Sequence, residues 1–300
     1  ETRYLDRPLS KDARLETETA NLIAKAASET TGGILAFLPG EGEIRRVQSN
    51  LNLPADCHVI PLFGAMKFQD QQAVLRPLDT GRKVVLATSI AETSLTLPDI
   101  PTVVDAGRAR RARFDASSGM SRLVTEKVSR AEATQRAGRA GRVRAGICYR
   151  LWARAEEGAL PAFPPAEIEA ADLAGLALEL ALWGSHAQGL PLLTQPNTSS
   201  LAQAQDLLRM LGALDDKGRI TPHGKKLSKM PLHPRLGHML LVAGKDAAPL
   251  AALMGARDIL GRSAPCDLSL RHRALTDLRG FEDRHPWQIN RNARRTVLDE

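Results

Sequence analysis

Short apolar runs alternate with longer amphipathic stretches over the first half of the chain. The apolar runs are rich in aliphatic residues and bounded by Gly, Pro or polar residues, which predicts buried β-strands. They lie at 33–38, 57–62, 83–87, 101–105 and 146–151. Helical periodicity fills much of the space between them, over 11–29, 41–52, 67–76 and 130–141. Strands that alternate with helices predict an α/β domain whose parallel sheet is covered on both faces.

Two segments of this first half depart from the alternation. Residues 110–125 contain two extended runs around Ala116-Ser117-Ser118-Gly119, which predicts a β-hairpin projecting from the domain. The opening residues 1–8, ETRYLDRP, mix charge with proline. We interpret them as a linker that enters the domain.

The second half of the chain is predicted to be mostly helical. It follows a proline-rich boundary at 156–166 and begins with amphipathic stretches at Ala170–Trp183 and Leu201–Leu211. A turn with a short strand at Leu214–Ile220 and a helix from Pro222 complete the pattern of a winged helix. From Pro234 a further run of helices indicates a small bundle. The predicted domains are therefore 1–155, 156–233 and 234–300.

Composition excludes several classes of protein. The 300 residues are 43% hydrophobic and 25% charged, which is typical of globular domains and not of disordered or coiled-coil chains. No apolar run approaches the ~18 residues that would span a bilayer, and no signal peptide opens the chain. Three widely spaced cysteines, Cys57, Cys148 and Cys266, fit a reducing compartment. We expect a soluble, cytoplasmic protein that does not bind membranes.

Positive charge is concentrated in one block of the sequence. Residues 105–150 contain twelve basic and four acidic residues, a net charge of +8, whereas the whole chain carries +7. Such a block within a folded domain indicates a polyanionic partner, either nucleic acid or the phosphates of a nucleotide. The alternative is a solvated surface, although arginine without interleaved acid is an unusual way to achieve solubility.

The helix predicted at 130–141 has a candidate catalytic face. Ser129-Arg-Ala-Glu132 is a capping box, and QRAGRAGR follows at 135–142. In a helix, Gln135, Arg139 and Arg142 would share one face, and two guanidinium groups one turn apart can bind several phosphate oxygens. Gly138 and Gly141 each cost about 1 kcal/mol inside a helix, which predicts a close contact with a ligand or another backbone. Arg136, about 100° away around the helix, is expected to matter less for the chemistry. The alternative is an arginine-rich surface helix.

A second candidate site follows the strand predicted at 83–87. In KVVLATSIAETSLT, Thr88 and Ser89 stand at the carboxyl end of this strand, where open α/β sheets bind ligands. A short helix from about Ile90 would direct free N–H groups at an anion. Local capping by the hydroxyl groups is the alternative.

These motifs resemble the second RecA-like domain of DEAH-box helicases of superfamily 2, in particular the bacterial HrpB-type branch. ATSIAETSLT (87–96) is similar to motif V of that family, QRAGRAGR to motif VI, and ILAFLPGEGEI (34–44) to motif IV. Residues 211–241 resemble the winged helix that leads into the helical-bundle, or ratchet, domain. The resemblance implies part of an ATP-dependent RNA helicase that couples ATP hydrolysis to translocation or unwinding.

The resemblance also implies a role for individual residues. Gln135, Arg139 and Arg142 would face the γ-phosphate of ATP, with the two arginines as arginine fingers. Ser94 and Thr96 would sense the nucleotide state, and Leu75 and Asp99 would contact its base and ribose. The residues that would bind nucleic acid are Thr88, Ser89 and Thr93, with Arg110, Arg111 and Arg113 on the hairpin. Leu75 replaces the aromatic residue of many relatives, and Pro98 stands where many have an acid, one residue before Asp99. A relaxed nucleotide preference is therefore expected.

Two parts of an ATPase are absent from the sequence. It contains no GxxxxGK[ST] phosphate loop and no acidic strand end for Mg²⁺. The resemblance assigns both to a first RecA-like domain, which would bind most of the ATP and Mg²⁺. We therefore expect the C-terminal part of a longer enzyme, inactive alone, whose partners are that domain and single-stranded or structured RNA, with DNA left open. The alternative is a stand-alone nucleic-acid-binding module without ATPase activity, which has no use for a Gln135–Arg139–Arg142 face.

Overall fold

Short apolar runs, buried at nearly every position in the central strands, form a six-stranded parallel sheet. The structure, a computed structural model, describes residues 1–93 (Thr93 by its backbone), 97, 100–115, 119–142, 144–261 and 263–299. The described strands are β1 (Thr2–Leu5), β2 (Ile34–Phe37), β3 (Cys57–Leu62), β4 (Arg82–Ala87), β5 (Thr102–Asp105), β6 (Arg108–Asp115), β7 (Met120–Lys127) and β8 (Ile147–Ala153). The sheet has the order β1-β8-β5-β2-β4-β3, and every neighbouring pair is parallel. The predicted strands are confirmed.

Helices cover both faces of this sheet. The helices of this part of the chain are α1 (Leu15–Glu29), α2 (Glu41–Asn50), α3 (Phe68–Leu75), α4 (Ile90–Thr93), α5 (Arg130–Ala137) and α6 (Glu167–Ala170), with a 3₁₀ helix at Arg154–Ala159. Ile34 and Ala36 of β2 belong to a core cluster with side chains of α1 and α2. The alternate residues Leu35 and Phe37 belong to a second cluster with Val74 of α3. This division follows the two-residue period of a strand and confirms the α/β fold.

Residues 2–5 correct the interpretation of the opening residues as a linker. They form β1, the edge strand, which pairs in parallel with β8 through Thr2–Cys148 and Arg3–Tyr149. The Arg3 guanidinium binds a Glu29 oxygen of α1 at 2.9 Å and the Tyr149 hydroxyl at 3.1 Å. An edge strand has a partner on one side only and tolerates such polar residues, so it lacks the apolar pattern of a central strand.

The predicted hairpin is confirmed. β6 and β7 pair antiparallel from Arg108–Lys127 to Asp115–Met120. Gly119, the last residue of the predicted turn, has a φ of 65°, in the region that favours glycine. The other three turn residues lie outside the described part of the chain.

The structure divides into two units, one of Glu1–Asp115 with Gly119–Ala170 and one that contains Ala171–Glu300. The proline-rich segment belongs to the first unit, because the amides of Arg130 and Ala131 donate to the carbonyls of Pro161 and Ala162 at 2.9 and 3.1 Å. The first unit thus extends to residue 170, beyond the boundary expected at 155.

The second unit is mostly helical, as the sequence predicts. Its described helices are α7 (Ala174–Trp183), α8 (Thr198–Met210), α9 (Pro222–Leu227), α10 (Pro234–Ala243), α11 (Ala248–Gly255), α12 (Leu268–Thr276), α13 (Leu278–Arg284) and α14 (Arg291–Asp299). Leu214 and Ile220 form an antiparallel bridge. Thr221 caps α9, whose first residue is Pro222. No helix in the described residues is long and apolar enough to cross a membrane.

Gly146, just before β8, has no room for a side chain. A Cβ atom there would lie 2.2 Å from the Ala140 carbonyl oxygen and 2.3 Å from that of Pro101. Both are backbone atoms, so neither can rotate away. The absence of a side chain at 146 therefore lets the start of β8 pack against the segment that follows α5.

We predict that Gly146→Ala destabilises the first unit by about 1–3 kcal/mol through overpacking. Gly141→Ala is the matched control, since a Cβ atom there meets nothing within 4 Å. Urea unfolding followed by Trp152 fluorescence, with Trp183 and Trp287 changed to Phe, reports on the first unit alone. Equal midpoints for the two variants would contradict the close packing.

Candidate functional site

The loop after β4 begins where the sequence predicts. Thr88 and Ser89 directly follow the last residue of β4, and α4 starts at Ile90. Thr88 is half-buried and its amide donates to the Leu62 carbonyl at 3.1 Å, whereas Ser89 is exposed. The two hydroxyl-bearing residues therefore stand at the carboxyl edge of the sheet.

The expected anion site at the start of α4 is not supported. The amides of Ala91 and Glu92 donate to the carbonyls of Thr88 and Ser89 at 3.2 and 2.9 Å. These i to i+3 bonds close a tight single turn, so both amides already have acceptors. Ser94, Thr96, Pro98 and Asp99 lie outside the described residues, as does the side chain of Thr93. Their assigned roles stay predictions.

The capping box that starts α5 is confirmed. Ser129 Oγ accepts from the Glu132 amide at 3.2 Å, and Glu132 Oε2 accepts from the Ser129 amide at 2.7 Å. The helix is shorter than predicted, however, and ends at Ala137. Gly138 caps it, and the amides of Arg139 and Ala140 then form tighter i to i+3 bonds with Arg136 and Ala137.

Gln135, Arg139 and Arg142 therefore do not share one helical face. Gln135 is exposed in the last turn of α5, whereas half-buried Arg139 and exposed Arg142 lie in the following turn. Ending the helix avoids the energetic cost of two interior glycines. The close backbone contact expected at Gly138 and Gly141 is also absent within the described chain. A Cβ atom added to Gly138 would meet only two carbonyl oxygens, at 3.4 Å, and one added to Gly141 would meet nothing within 4 Å.

Arg139 lies close to other charged groups. Burial, with the neighbouring Arg142 cation as the next cause, lowers the pKa of Arg139 below its ordinary value, and Glu92 opposes the shift. Two mutually repelling guanidinium groups thus stand in one short segment. An anion bound between them would relieve that repulsion.

Arg136 is the buried centre of this region. Its side chain is 1% exposed. Its Nε donates to Glu92 of α4 at 2.7 Å, and its Nη1 to Asp105 of β5 at 2.8 Å and to the Arg108 carbonyl at 3.2 Å. The Arg136 guanidinium carbon also lies 5.1 Å from the centre of the Phe37 ring. One side chain thus joins α5 to α4, β5, β2 and the start of β6.

Arg136 thus has a structural role, and the expectation that it matters less than Arg139 for the chemistry stays a prediction. Burial disfavours its cation, but the attraction of Asp105 and Glu92 outweighs this and keeps the pKa of Arg136 above its ordinary value. Burial raises the pKa of Glu92, and Arg136 opposes that shift. Sequence reasoning assigned no role to Glu92 or Asp105. A short buried strand that ends in an acid was the available signal.

Acidic side chains pair with the hairpin arginines. Arg111 contacts both carboxylate oxygens of Glu132, at 2.5 and 2.6 Å, and Arg113 contacts both of Glu126, at 2.7 Å each. Arg110 reaches Glu43 of α2 at 3.3 Å. The basic block thus receives acids from α2, β7 and α5, which corrects the view of arginine without interleaved acid.

These ion pairs also tie the hairpin to α5. Burial alone would raise the pKa of Glu132, but hydrogen bonds from Ser129 and Arg111 hold it below its ordinary value. The hydrogen bond from Arg113 is the largest cause of the lowered pKa of Glu126. The side chain of Arg111 is only 16% exposed, whereas that of Arg110 is 35% exposed.

Leu75 is held at the C-terminus of α3. It is half-buried, and the carbonyls on either side of it, of Val74 and Arg76, accept from Lys83 Nζ at 3.0 and 2.7 Å. Lys83 is 2% exposed. Lysine favours helix C-termini, but the sequence gives no sign that a lysine in β4 would reach one.

The fold and these motifs define the chain as a helicase domain. The model of the helicase conserved C-terminal domain matches residues 17–144, and that of the helicase-associated winged-helix domain (HA2) matches residues 204–232. The chain belongs to the DExH/DEAH-box helicase family.

Particular relatives agree with this assignment. The ATP-dependent RNA helicase HrpB of Escherichia coli (strain K12) is 42% identical over 272 residues, covering 88% of this chain and 33% of that protein. HrpA of the same organism is 35% identical over 85% of this chain and 20% of the relative. A crystal structure of the E. coli DExH-box NTPase HrpB has a TM-score of 0.82 and 37% identity over 99% of this chain and 36% of that one. The chain thus spans about a third or less of these relatives.

We predict that Arg136→Gln destabilises the first unit by about 3–5 kcal/mol, because Asp105 and Glu92 would be left buried without their cation. Arg130→Gln is the control, since Arg130 is exposed at the start of α5 and makes no ion pair within the described residues. Its expected change is within about 0.5 kcal/mol. Urea unfolding followed by Trp152 fluorescence measures both. A loss below 1 kcal/mol for Arg136→Gln would contradict the buried network.

Proposed function

We propose that this chain supplies the second RecA-like half of an ATP-dependent RNA helicase, which couples ATP hydrolysis to movement along RNA or its unwinding. The observation that carries the proposal is the segment from Gln135 to Arg142. It places one amide and two guanidinium groups at the end of α5, and Arg136 links that helix through Glu92 to the loop that follows β4. A pure binding module has no use for this arrangement.

In the proposed reaction, water attacks the γ-phosphorus of ATP while the bond to the bridging oxygen of the leaving ADP breaks. Negative charge is spread over the transferred phosphoryl group and the bridging oxygen. Arg139 and Arg142 neutralise that charge as arginine fingers, and the Gln135 amide orients the attacking water. Catalysis here is electrostatic and depends on cations that are already in place.

The chemistry of these side chains fits phosphate rather than metal. They offer N–H donors, and the nearby carboxylate of Glu92 is bound to Arg136. We propose that Mg²⁺ and most phosphate contacts come from a first RecA-like domain with the phosphate loop that this sequence lacks. Leu75 and Asp99 would contact the base and ribose, and Ser94 and Thr96 would sense the nucleotide state.

RNA is the proposed nucleic acid, since the curated relatives are named RNA helicases. Thr88, Ser89 and Thr93 would contact its backbone at the carboxyl edge of the sheet. On the hairpin, Arg110 and Arg113 have the more exposed guanidinium groups, at 35% and 31%, and are better placed than Arg111 to exchange a carboxylate for a phosphate. We propose a cytoplasmic location, as the sequence suggests.

The second unit would contain two further domains. We propose a winged helix up to residue 233 and a ratchet-like bundle from 234. The antiparallel bridge Leu214–Ile220 and the match to the HA2 winged-helix domain support the first assignment.

We predict that Arg139→Ala in the full-length enzyme lowers the single-turnover rate of ATP hydrolysis by about 10³-fold or more, the range for arginine fingers. Nucleotide Kd should change far less, because the transition state carries the charge that the finger neutralises. Arg139→Lys should restore little, since the planar fork of the guanidinium is lost. RNA affinity without nucleotide should stay within about twofold, because no phosphate contact to RNA is removed.

Arg130→Ala is the matched control, because it removes an exposed arginine from the other end of the same helix. Near-normal hydrolysis by Arg139→Ala, or an equal defect in Arg130→Ala, would refute the finger assignment. RNA binding by a full-length protein that hydrolyses no ATP even with Arg139 and Arg142 intact would favour the stand-alone binding module instead.

A further inference from the structure

A cavity lies at the base of the hairpin, within the first unit. Its volume is about 280 Å³, and eight apolar side chains line it, among them Leu9, Leu15, Val128 and Trp152. Ligand sites in proteins are mostly apolar and begin at roughly 300 Å³, so this cavity is large enough for one small chemical group. It is separate from the segment that carries Arg139 and Arg142.

Trp152 forms a rigid wall of the cavity. It is 7% exposed, and the Arg150 guanidinium carbon lies 5.2 Å from the centre of its ring. Gly107 approaches the ring so closely that a Cβ atom would lie 2.8 Å from Trp152 Cε3. Gly107 also has a φ of 68°, so glycine is favoured there on two counts. The ring is therefore held rigidly, and its small exposed part adds to the apolar lining of the cavity without losing side-chain freedom when a ligand binds.

Cations surround the same cavity. Lys11, Arg108 and Lys127 line it, with Glu156 as the only acid among the described lining residues. Lys127 Nζ lies 3.5 Å from Glu156, whereas the side chains of Lys11 and Arg108 make no ion pair within the described part of the chain. Apolar walls beside unpaired cations fit a ligand with an aromatic group and an attached anion.

The position of the cavity indicates where such a ligand comes from. Arg108 and Lys127 are the first and last residues of the hairpin and lie opposite each other in its register. Met120 and Leu123, farther along the hairpin, are 66% and 68% exposed. A strand that follows this hairpin would reach the cavity at its base.

We propose that the cavity binds one nucleotide unit of a single-stranded RNA, with the base against Trp152 and its phosphate at Lys11 and Arg108. Base and phosphate match the two halves of the site, because single-strand binding combines an aromatic platform with a cationic track. This inference rests on the proposed function, since it takes RNA to run along the hairpin. A free nucleotide offers the same chemistry, and the experiment separates the two sources.

The test uses the 300-residue chain with Trp183 and Trp287 changed to Phe, so that Trp152 is the only tryptophan. A single-stranded RNA oligonucleotide and AMP are titrated separately, with Trp152 fluorescence and oligonucleotide anisotropy as readouts. RNA should quench Trp152 with saturation. Lys11→Glu, and Ser10→Phe at the rim, should each weaken RNA binding about tenfold, the scale of one stacked base. Lys11→Glu should also reduce the log–log salt slope by about 0.7, one phosphate.

Lys25→Glu is the control. It makes the same charge change on an exposed side chain near the C-terminus of α1, outside the lining of the cavity. The nucleotide site would be overturned if RNA bound without changing Trp152 fluorescence and if the Lys11→Glu and Lys25→Glu variants had equal RNA affinity. The proposed function would then stay intact. Quenching by AMP but not by RNA would overturn the assignment to a strand. If neither the single-tryptophan protein nor its variants bound RNA, both the nucleotide site and the proposal that this chain binds RNA would be overturned.

Discussion

The buried guanidinium of Arg136 is the interaction on which the candidate site depends. Removing a cation from water is costly, and the cost is recovered only when carboxylates and a carbonyl saturate its donors. Here Glu92, Asp105 and the Arg108 carbonyl accept hydrogen bonds from the Nε and Nη1 atoms of Arg136. The requirement works in both directions, because Glu92 and Asp105 also need a buried cation. The carboxyl edge of the sheet, the loop after β4 and the segment after α5 are therefore joined by the same buried charges.

Pairing with carboxylates also applies to other arginines of the basic block at 105–150. Arg111 and Arg113 are bound by Glu132 and Glu126. Outside that block, the Lys83 ammonium group binds carbonyl groups at the C-terminus of α3. Much of the positive charge in the block is thus paired within the first unit. The proposed phosphoryl transfer depends on the placement of a few cations rather than on a diffuse positive field.

The sequence predicted those parts of the fold that follow from local pattern. Apolar strands, intervening helices, the hairpin and the Ser129 capping box were all visible in it, because periodicity and capping are short-range signals. The motifs also marked Gln135, Arg139 and Arg142. The edge strand β1 was not predicted because its polar residues obscure the apolar pattern of a strand. Helix α5 was predicted to continue past Gly138, whereas it ends at Ala137.

What the sequence could not supply is the pairing of charges across elements. Arg136 was placed on a minor face because helical geometry alone does not show that Glu92 and Asp105, 44 and 31 residues away, converge on it. The charge count of residues 105–150 omitted Glu43, which comes from α2. The close backbone contact was expected at Gly138 or Gly141 and occurs at Gly146, because it depends on where Pro101 and Ala140 lie in three dimensions.

The central claim is that the Arg136 network positions the segment that carries Arg139 and Arg142. Native-state hydrogen exchange of the 300-residue chain with Glu92→Gln tests it most directly, since Gln keeps the shape of Glu92 and removes only its charge. The amides of Arg139 and Ala140, which donate to the carbonyls of Arg136 and Ala137, report on the segment. We expect both amides to exchange about tenfold faster, because a hydrogen bond to a charged acceptor becomes a weaker one to a neutral acceptor, while the amides of β2 and β4 keep their protection. Unchanged exchange at Arg139 and Ala140, or an equal increase throughout the sheet, would contradict it.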